Sequence, residues 1–202
     1  KYDKVLREAF SVIAAQRGPW KEFPSTGTQS GATKNQAWGV LPTRNWQDSV
    51  FEQAAEISYP KLREKFVLKD IGCPRCPVCC TKLTVVQEGP YAGATTDGPE
   101  YETIYAFGSA CGVGKPEPII AADMKCDNLG LDTMSTGLSI AWAMESFEKG
   151  ILTSKDTDGV ELRFGNDDAM VKAVQEIAYR QGRLGALLGK GVRKAAEEIG
   201  RG

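Results

Sequence analysis

The spacing of apolar residues along the chain predicts a protein built mainly from helices. Apolar side chains recur every three or four positions over residues 2–16, as they do in an amphipathic helix. The Gly18-Pro19 pair is expected to end that helix, because neither residue favours its continuation. The same period predicts further helices over residues 46–57, 60–67, 101–110 and 116–129, from a cap at Ser135 or Thr136 to Lys149, from Asp167 to about Gln181, and in two short pieces within 182–202.

Two short segments alternate between apolar and polar residues in the manner of β-strands. They are residues 81–86 and residues 160–164, and an Asp158-Gly159 turn precedes the second segment. Residues 20–46 are rich in Gly, Ser, Thr and Asn and have no sustained period, so we expect a long loop or a series of short turns there. The whole pattern predicts a mainly α, multihelical domain with a few short β-strands.

We treat residues 1–202 as one domain with two halves, because the chain shows no internal repeat. A cysteine-containing half of about residues 1–113 gives way to a half of longer helices, about residues 114–202. The composition is 42% hydrophobic and 25% charged, with a formal net charge of −1. This balance argues against nucleic-acid and membrane-surface functions, which need a basic excess. No apolar run reaches the roughly 18 residues that a membrane span requires.

The six cysteines are the first sign of chemistry, because four of them fall within the eight residues from Cys73 to Cys80. Thiolates two or three residues apart can converge on one point if the backbone curls around it, as iron–sulfur and zinc sites require. Cys73 and Cys76 form a triad with either Cys80, as C-x2-C-x3-C, or Cys79, as C-x2-C-x2-C. In both cases a fourth ligand must come from elsewhere.

Several other interpretations of the cysteine loop remain open: a zinc knuckle, a disulfide pair, or packed free thiols. Zinc needs a second ligand pair, yet the chain has no histidine and Cys111 and Cys126 stand alone, so we favour a cubane iron–sulfur cluster. The absence of histidine also excludes Ser–His and Cys–His nucleophile systems within this chain. Cysteines bunched in one loop suit a reducing compartment, so a cytoplasmic location is expected.

A second group of candidate residues lies between two predicted helices. Asp127 and Asp132 flank Gly130, which can adopt a positive φ and let a ligand approach the backbone. Carboxylates beside such a turn suit a planar ligand with adjacent N–H donors, such as the edge of a pterin. The alternative is a plain helix–helix corner with a glycine C-cap and acidic capping groups. A third group, Glu100 and Glu102, enters a helix, where acidic residues are also expected from the helix dipole alone.

Taken together, these stretches resemble the aldehyde ferredoxin oxidoreductase family of tungsten enzymes. The resemblance rests on the order and spacing of several strings: Gly39 to Trp46, Gly72 to Cys80, Gly98-Pro99-Glu100-Tyr101-Glu102-Thr103, Gly108 to Gly112, Asp127 to Gly137, and Asp156 to Asn166. The family implies oxidation of an aldehyde to a carboxylic acid at tungsten, or molybdenum, held by two pterins. Electrons would pass through a [4Fe–4S] cluster to ferredoxin.

The resemblance also implies roles for particular residues. The family's cluster cysteines correspond to Cys73, Cys76 and Cys80, whereas Cys79 stands where the family usually has a small residue. A glutamate that faces the tungsten site falls in the 100–102 stretch, and Glu102 is narrowly favoured over Glu100. The family's pterin-binding residues correspond to Asp127, Gly130, Leu131, Asp132 and Thr133.

Some family features are missing from this chain. It has no second D-x-x-G-L-C motif to supply the fourth cluster cysteine, no β-rich N-terminal domain and no active-site histidine. The chain therefore resembles the middle helical domain, a fragment of a larger three-domain enzyme whose remaining domains would complete the site, and alone we expect it to be inactive. The competing functions are a stand-alone iron–sulfur electron-transfer module, a zinc-binding structural module, or a metal-free helical scaffold.

Overall fold

The computed structural model describes residues 1–15 and 22–200, and it confirms a mainly helical domain with a small β-sheet. The Gly18-Pro19 pair lies outside the described residues. Within them, no helix is long and apolar enough to cross a membrane. The helices are α1 (Tyr2–Ala15), α2 (Phe23–Thr26), α3 (Ser30–Trp38), α4 (Tyr59–Lys65), α5 (Tyr101–Thr103), α6 (Pro116–Leu129), α7 (Thr133–Glu148), α8 (Asp167–Tyr179), α9 (Gly182–Leu188) and α10 (Val192–Ile199).

The sheet is antiparallel and holds the cysteine loop at one end. Its strands β1 (Val67–Ile71), β2 (Thr81–Val85) and β3 (Thr95–Thr96) lie in the order β1-β2-β3. Ile71 pairs with Thr81, so the whole cysteine loop is the connection between β1 and β2. The strand predicted at residues 81–86 is therefore confirmed as β2, and it fixes both ends of the loop.

The core forms where α6, α7 and α8 pack around the segment that follows α5. That segment continues as a π-helical turn, Ile104–Gly108, and a 3₁₀ turn, Ser109–Cys111. Gly137 in α7 lies so close to this segment that an added Cβ would be 2.9 Å from the carbonyl carbon of Ala106. The largest fully buried apolar side chains here are Ile104, Phe107, Ile119, Ile120, Ile140 and Met144.

Replacing Gly137 by alanine is expected to destabilise the domain, although alanine is the better helix former. The new methyl group would meet the backbone of Ala106, which cannot move aside as a flexible side chain can. Overpacking of this kind costs about 1–3 kcal/mol, and urea denaturation measures it. The exposed Lys194 in α10, changed to alanine, is the control and should change the free energy of unfolding by less than about 0.5 kcal/mol. Equal stability of Gly137→Ala and wild type would contradict the close packing.

The loop or short turns predicted for residues 20–46 are found over residues 39–46, but the prediction is wrong before them, because α2 and α3 form there. Residues 20 and 21 lie outside the described residues. Helix α3 buries only Ala32, so its sequence carries no apolar stripe from which a helix could be recognised. It is fixed instead by a distant segment. The Gln36 side chain accepts a hydrogen bond from the Phe51 N–H at 2.9 Å and donates one to the Phe51 carbonyl at 3.0 Å.

The helix predicted for residues 46–57 is also wrong, because turns take its place. Residues 44–46 have left-handed φ values of 44°, 51° and 64°, which a right-handed helix cannot contain. The N–H groups of the first two donate to the carbonyls of Ser109 and Ala110 at 2.9 and 3.0 Å. These long-range hydrogen bonds stabilise the turn against the local apolar period.

The second strand, predicted at residues 160–164, does not form. The Val160 N–H donates to the Thr157 carbonyl at 3.0 Å, and the Arg163 N–H donates to the Glu161 carbonyl at 3.1 Å. Local turns therefore take backbone groups that a strand would offer to a neighbour. The helix predicted from residue 60 is also shorter than expected, because it ends at Lys65 as α4 and residue 67 already belongs to β1.

Candidate functional site

The cysteine loop lies at the surface and contains tight turns. The Cys76 N–H donates to the Cys73 carbonyl at 2.9 Å, and Arg75 and Cys79 adopt left-handed φ values of 64° and 53°. Cys73 and Cys76 are exposed, whereas Cys79 and Cys80 are half-buried. All four are free thiols, so the disulfide interpretation is not supported.

The donor chemistry of the loop fits an iron–sulfur cluster, but its thiols do not converge on one point. Across residues 1–15 and 22–200, no group of three His, Cys, Asp or Glu side chains is placed to hold a metal ion. The other two cysteines lie in the helical core, where burial raises the pKa of the Cys111 thiol and raises that of Cys126 to about 12. Both are therefore neutral thiols at neutral pH.

Lys82 lies directly beneath the cysteine loop with only 1% of its surface exposed. Its ammonium group donates to the carbonyl oxygens of Pro24 and Cys80, each at 3.0 Å, and reaches that of Cys79 at 3.5 Å. It also forms an ion pair with Asp70 at 3.3 Å. A buried ammonium needs such a set of acceptors, and this set joins the loop to the segment after residue 22.

That segment connects the cysteine loop to the predicted glutamates. A Cβ at Gly27 would lie 2.3 Å from the Cys80 carbonyl oxygen, so the two backbones touch where Gly27 has a φ of 58°. The next residue, Thr28, donates its hydroxyl proton to the Glu100 carboxylate and accepts a hydrogen bond from the Tyr101 N–H at 3.0 Å. The loop and Glu100 thus share one short stretch of chain as a common support.

The two predicted glutamates occupy different surroundings. Glu100 is half-buried, and burial raises its pKa above the ordinary value. The Thr28 hydrogen bond opposes this rise, the Glu102 charge adds to it, and the nearby Lys82 charge also opposes it. Glu102 is exposed. Glu100 is therefore the more firmly held carboxyl group, and Glu102 is the more accessible one.

The stretch from Asp127 to Asp132 forms the corner between α6 and α7. Gly130 ends α6 with a φ of 68°, and nothing lies within 4 Å of the place where its Cβ would be. Asp132 caps α7 by accepting the Ser135 N–H at 2.7 Å, and hydrogen bonds from Ser135 lower its pKa. The corner therefore has the glycine C-cap and the acidic N-cap that the alternative interpretation describes. The cap predicted at Ser135 or Thr136 is wrong, because α7 begins earlier, at Thr133.

The fold brings this corner next to the glutamate segment. The hydroxyl groups of Thr103 and Thr133 lie 2.9 Å apart in a hydrogen bond that joins α5 to α7. Tyr105 is buried between the two segments, and its pKa is raised first by burial and then by the negative charges of Glu102 and Asp132. Two stretches that are far apart in sequence are therefore joined by one hydrogen bond, and the charges of both act on one phenol group.

Tyr105 is one residue that sequence reasoning missed, although it lies within the helix predicted over residues 101–110. Its position three residues after Glu102 is the signal that could have identified it, since side chains three apart share a helix face. Its position near both acidic stretches depends on how α7 packs, which no local pattern specifies.

Asp123 is the second residue that sequence reasoning missed. It lies on α6 one turn before Asp127 and is only 6% exposed. Burial raises its pKa to about 7, and the charges of Asp127, Asp97 and Glu100 add to the rise, while a hydrogen bond from Thr96 opposes it. An aspartate placed among the apolar residues of α6 was the available signal, because an acidic side chain is rarely buried without a partner.

Comparison with known proteins identifies the family. Residues 4–202 match the family model described as aldehyde ferredoxin oxidoreductase, domains 2 and 3. The chain is 36% identical over 201 residues to the tungsten-containing aldehyde ferredoxin oxidoreductase of Thermococcus kodakarensis, an alignment covering 99% of this chain and 32% of that protein. It is 35% identical over 209 residues to the aliphatic sulfonate oxidoreductase, WOR-like subunit, of Pyrococcus furiosus, covering 98% of this chain and 32% of that protein. The chain therefore spans about a third of the length of these relatives.

A solved structure has the same fold. It is the active site complex BamBC of benzoyl coenzyme A reductase in complex with 1,5-dienoyl-CoA, which matches with a TM-score of 0.67 at 23% identity. The match covers 88% of this chain and 26% of that one. At this identity the likeness concerns the fold alone. The family model, which matches nearly the whole sequence, and relatives of about 36% identity show that the chain belongs to the aldehyde ferredoxin oxidoreductase family.

Proposed function

We propose that this chain forms part of a tungsten or molybdenum bis-pterin oxidoreductase that oxidises aldehydes to carboxylic acids and passes the electrons through a [4Fe–4S] cluster to ferredoxin. One observation carries the proposal beyond family membership. The Asp127–Asp132 corner and the Glu100–Glu102 segment, separated in sequence, meet through the Thr103–Thr133 hydrogen bond and around Tyr105. A cofactor at the corner would therefore have a proton-accepting carboxylate within the same site.

The corner suits a pterin in both shape and chemistry. Asp127 is exposed, and the space beside Gly130 is open to a planar group. The carboxylates of Asp127 and Asp132 can accept hydrogen bonds from ring N–H groups, while Leu131 and Thr133 complete the turn around them. The acceptor oxygens of Asp132 are held in place, because its carboxylate also caps α7. The bound metal would supply the oxidation chemistry itself.

The glutamates would manage protons during the reaction. Water provides the second oxygen of the carboxylic acid product, so a group near the substrate must accept protons from water as the electrons leave. Glu102 is exposed, and its charge raises the pKa of Tyr105. We propose Glu102 as the proton acceptor. Glu100 is held by Thr28 and has a raised pKa. We therefore propose that it orients water or accepts a proton after Glu102.

Cys73, Cys76 and Cys80 would bind the cluster as thiolates, with the fourth ligand supplied from outside this chain. The left-handed backbone conformations of Arg75 and Cys79 produce tight turns in the loop, which such a site needs. Cys79 is not among the proposed ligands. Its sulfur lies close to the backbone at Gly72, where an added Cβ would be 3.2 Å from it. That contact places the Cys79 thiol against the loop's own backbone.

Elemental analysis of the longer parent protein, purified without oxygen, tests the proposal. We expect about four irons and one tungsten or molybdenum per chain. Serine in place of Cys80 should remove most of the iron, whereas serine in place of Cys79 is the matched control and should leave it bound. Zinc alone, or no metal, would contradict the proposed function and favour a structural module. Equal iron loss in both variants would contradict the choice of Cys80.

Aldehyde oxidation then needs its own measurement. Glutamine in place of Glu102 is expected to lower the rate with aldehydes by about 10²–10⁴-fold, which is the usual contribution of a positioned acid–base group. The metal content should be unchanged, because Glu102 is not among the proposed ligands. If the parent contains tungsten but oxidises no aldehyde, the substrate class is wrong while the cofactor assignment stands.

A further inference from the structure

Asp123 and Asp127 lie one helical turn apart on α6 and share a single hydrogen-bond donor. The Thr96 hydroxyl is 2.9 Å from the Asp123 Oδ2 atom and 3.4 Å from the Asp127 Oδ2 atom. A threonine hydroxyl has one proton to donate and two lone pairs that accept. Thr96 can therefore donate fully to one of the two carboxylates at a time, and the shorter distance favours Asp123.

The surroundings of Asp123 leave it little freedom to move. It is buried, and a Cβ at Gly98 would lie 2.7 Å from its Oδ2 atom, so the backbone at Gly98 closes the site from the other side. The closeness of Gly98 and Thr96 fixes the Asp123 carboxyl group against the end of β3. Asp127, by contrast, is exposed toward the corner before α7.

The charged groups near Asp123 are acidic. Asp97 follows β3, Glu100 precedes α5, and Asp127 lies on the same helix, and each of them favours a proton on Asp123. The thiol of Cys126, also on α6, is kept neutral first by burial and then by the charges of Asp123, Asp127 and Asp132. Burial is the largest influence, and together these effects raise the Asp123 pKa to about 7.

We propose that Asp123 is a positioning residue for Asp127 and that it acts through the Thr96 hydroxyl. When Asp123 carries a proton, it donates that proton to the Thr96 oxygen, and Thr96 turns its own proton to the Asp127 carboxylate. When Asp123 is ionised, Thr96 donates to Asp123 instead, and Asp127 loses its hydrogen bond while facing a second negative charge. No proton is transferred between the carboxyl groups; only the direction of two hydrogen bonds changes.

This relay would govern how the corner presents a carboxylate to a ligand. With the Thr96 hydrogen bond in place, the Asp127 carboxylate is held in one orientation, which favours a ligand with fixed N–H donors. This consequence rests on the proposed pterin-binding role of Asp127. The relay itself is a property of this chain and is measurable without any cofactor.

The test is a pH titration of the 202-residue chain by NMR, with carbon-13 in the aspartate carboxyl groups. We expect the Asp127 carboxyl signal to show its own titration and a second step near pH 7 that matches the titration of Asp123. Asparagine in place of Asp123 should remove this second step completely. Asp132, whose carboxylate is engaged by Ser135, is the internal control and should show no step near pH 7.

Two substitutions at Thr96 separate the hydrogen bond from the bare charge of Asp123. Serine keeps the hydroxyl and should preserve the second step. Valine keeps the shape and removes the hydroxyl, so the step should fall by more than half, leaving only the through-space effect of the charge. A step of equal size in the serine and valine variants, or no step in the wild type, would overturn the proposal. If the relay is observed while the parent protein lacks a pterin, the proposed function fails and the relay stands.

Discussion

Replacing Lys82 by methionine is expected to lower the free energy of unfolding by about 2–4 kcal/mol. Methionine has nearly the volume of the lysine stem but cannot donate hydrogen bonds. The carbonyl groups of Pro24 and Cys80 would lose their shared donor, and Asp70 would lose one of its two cationic partners. Breaking a buried ion pair from one side commonly costs about 3–5 kcal/mol. The expected value is lower because Asp70 is partly exposed and keeps its ion pair with Arg63.

Urea denaturation measures the loss in the free energy of unfolding, and amide hydrogen exchange measures where in the chain the loss is felt. The exchange of amides near residues 24–28 and 79–82 should speed up more than that of amides in α7, because Lys82 joins those two segments. Lys69 is the matched control: it lies on the neighbouring strand β1, is exposed, and should tolerate methionine with a change below about 0.5 kcal/mol. Equal effects at both lysines would show that burial of the ammonium group does not matter.

The Lys82 position also shows where sequence reasoning succeeds and where it fails. Alternation predicted the strand at residues 81–86, and β2 confirms it. Alternation alone does not reveal that Lys82 and Thr84 are the buried residues of this strand. The reason is long-range: Lys82 reaches acceptors from three other segments, and no local pattern records them.

Helices α6 and α8 could be predicted well from local signals. Helix α6 has the predicted bounds, Pro116–Leu129, and α8 begins at Asp167 as predicted. The Asn166 side chain caps α8 by accepting the Ala169 N–H. In these segments the local preference and the tertiary packing agree, so the sequence alone is sufficient. Helix α3 has no such period, and its partner Phe51 lies in a segment that was itself predicted incorrectly.

The candidate site was predictable in its parts but not in its arrangement. Glu100, Glu102 and the Asp127–Asp132 corner were identified from motifs, whereas their meeting through Thr103 and Thr133 depends on how α7 packs. Asp123 and Tyr105 carry no motif of their own. Their importance arises from burial next to charges contributed by other elements, which only the folded chain defines.

Asparagine in place of Asp123 is expected to change how stability depends on pH. In the folded chain Asp123 has a pKa of about 7, against an ordinary value of 3.8. Between these values the unfolded chain has lost the proton and the folded chain still holds it. The contribution of Asp123 therefore favours folding most at low pH, falls as the pH rises from about 4 to 7, and is constant above that.

The size of this effect follows from the shift. One pKa unit corresponds to about 1.4 kcal/mol, so a rise of roughly three units gives about 4 kcal/mol as an upper value, and we expect about 2–4 kcal/mol. Asparagine mimics the neutral acid, so the variant should match the wild type near pH 4 and exceed its stability at pH 8 by that amount. The difference between variant and wild type is the quantity to measure, because the contributions of groups that do not interact with Asp123 cancel in it. Alanine in place of the exposed Asn128, whose side chain has no titratable group, is the control and should give a difference that does not change with pH. A constant difference for Asp123→Asn would mean that Asp123 has the same pKa in the folded and the unfolded chain, so the Thr96 hydroxyl would donate to an ionised Asp123 throughout the range above that ordinary pKa of 3.8.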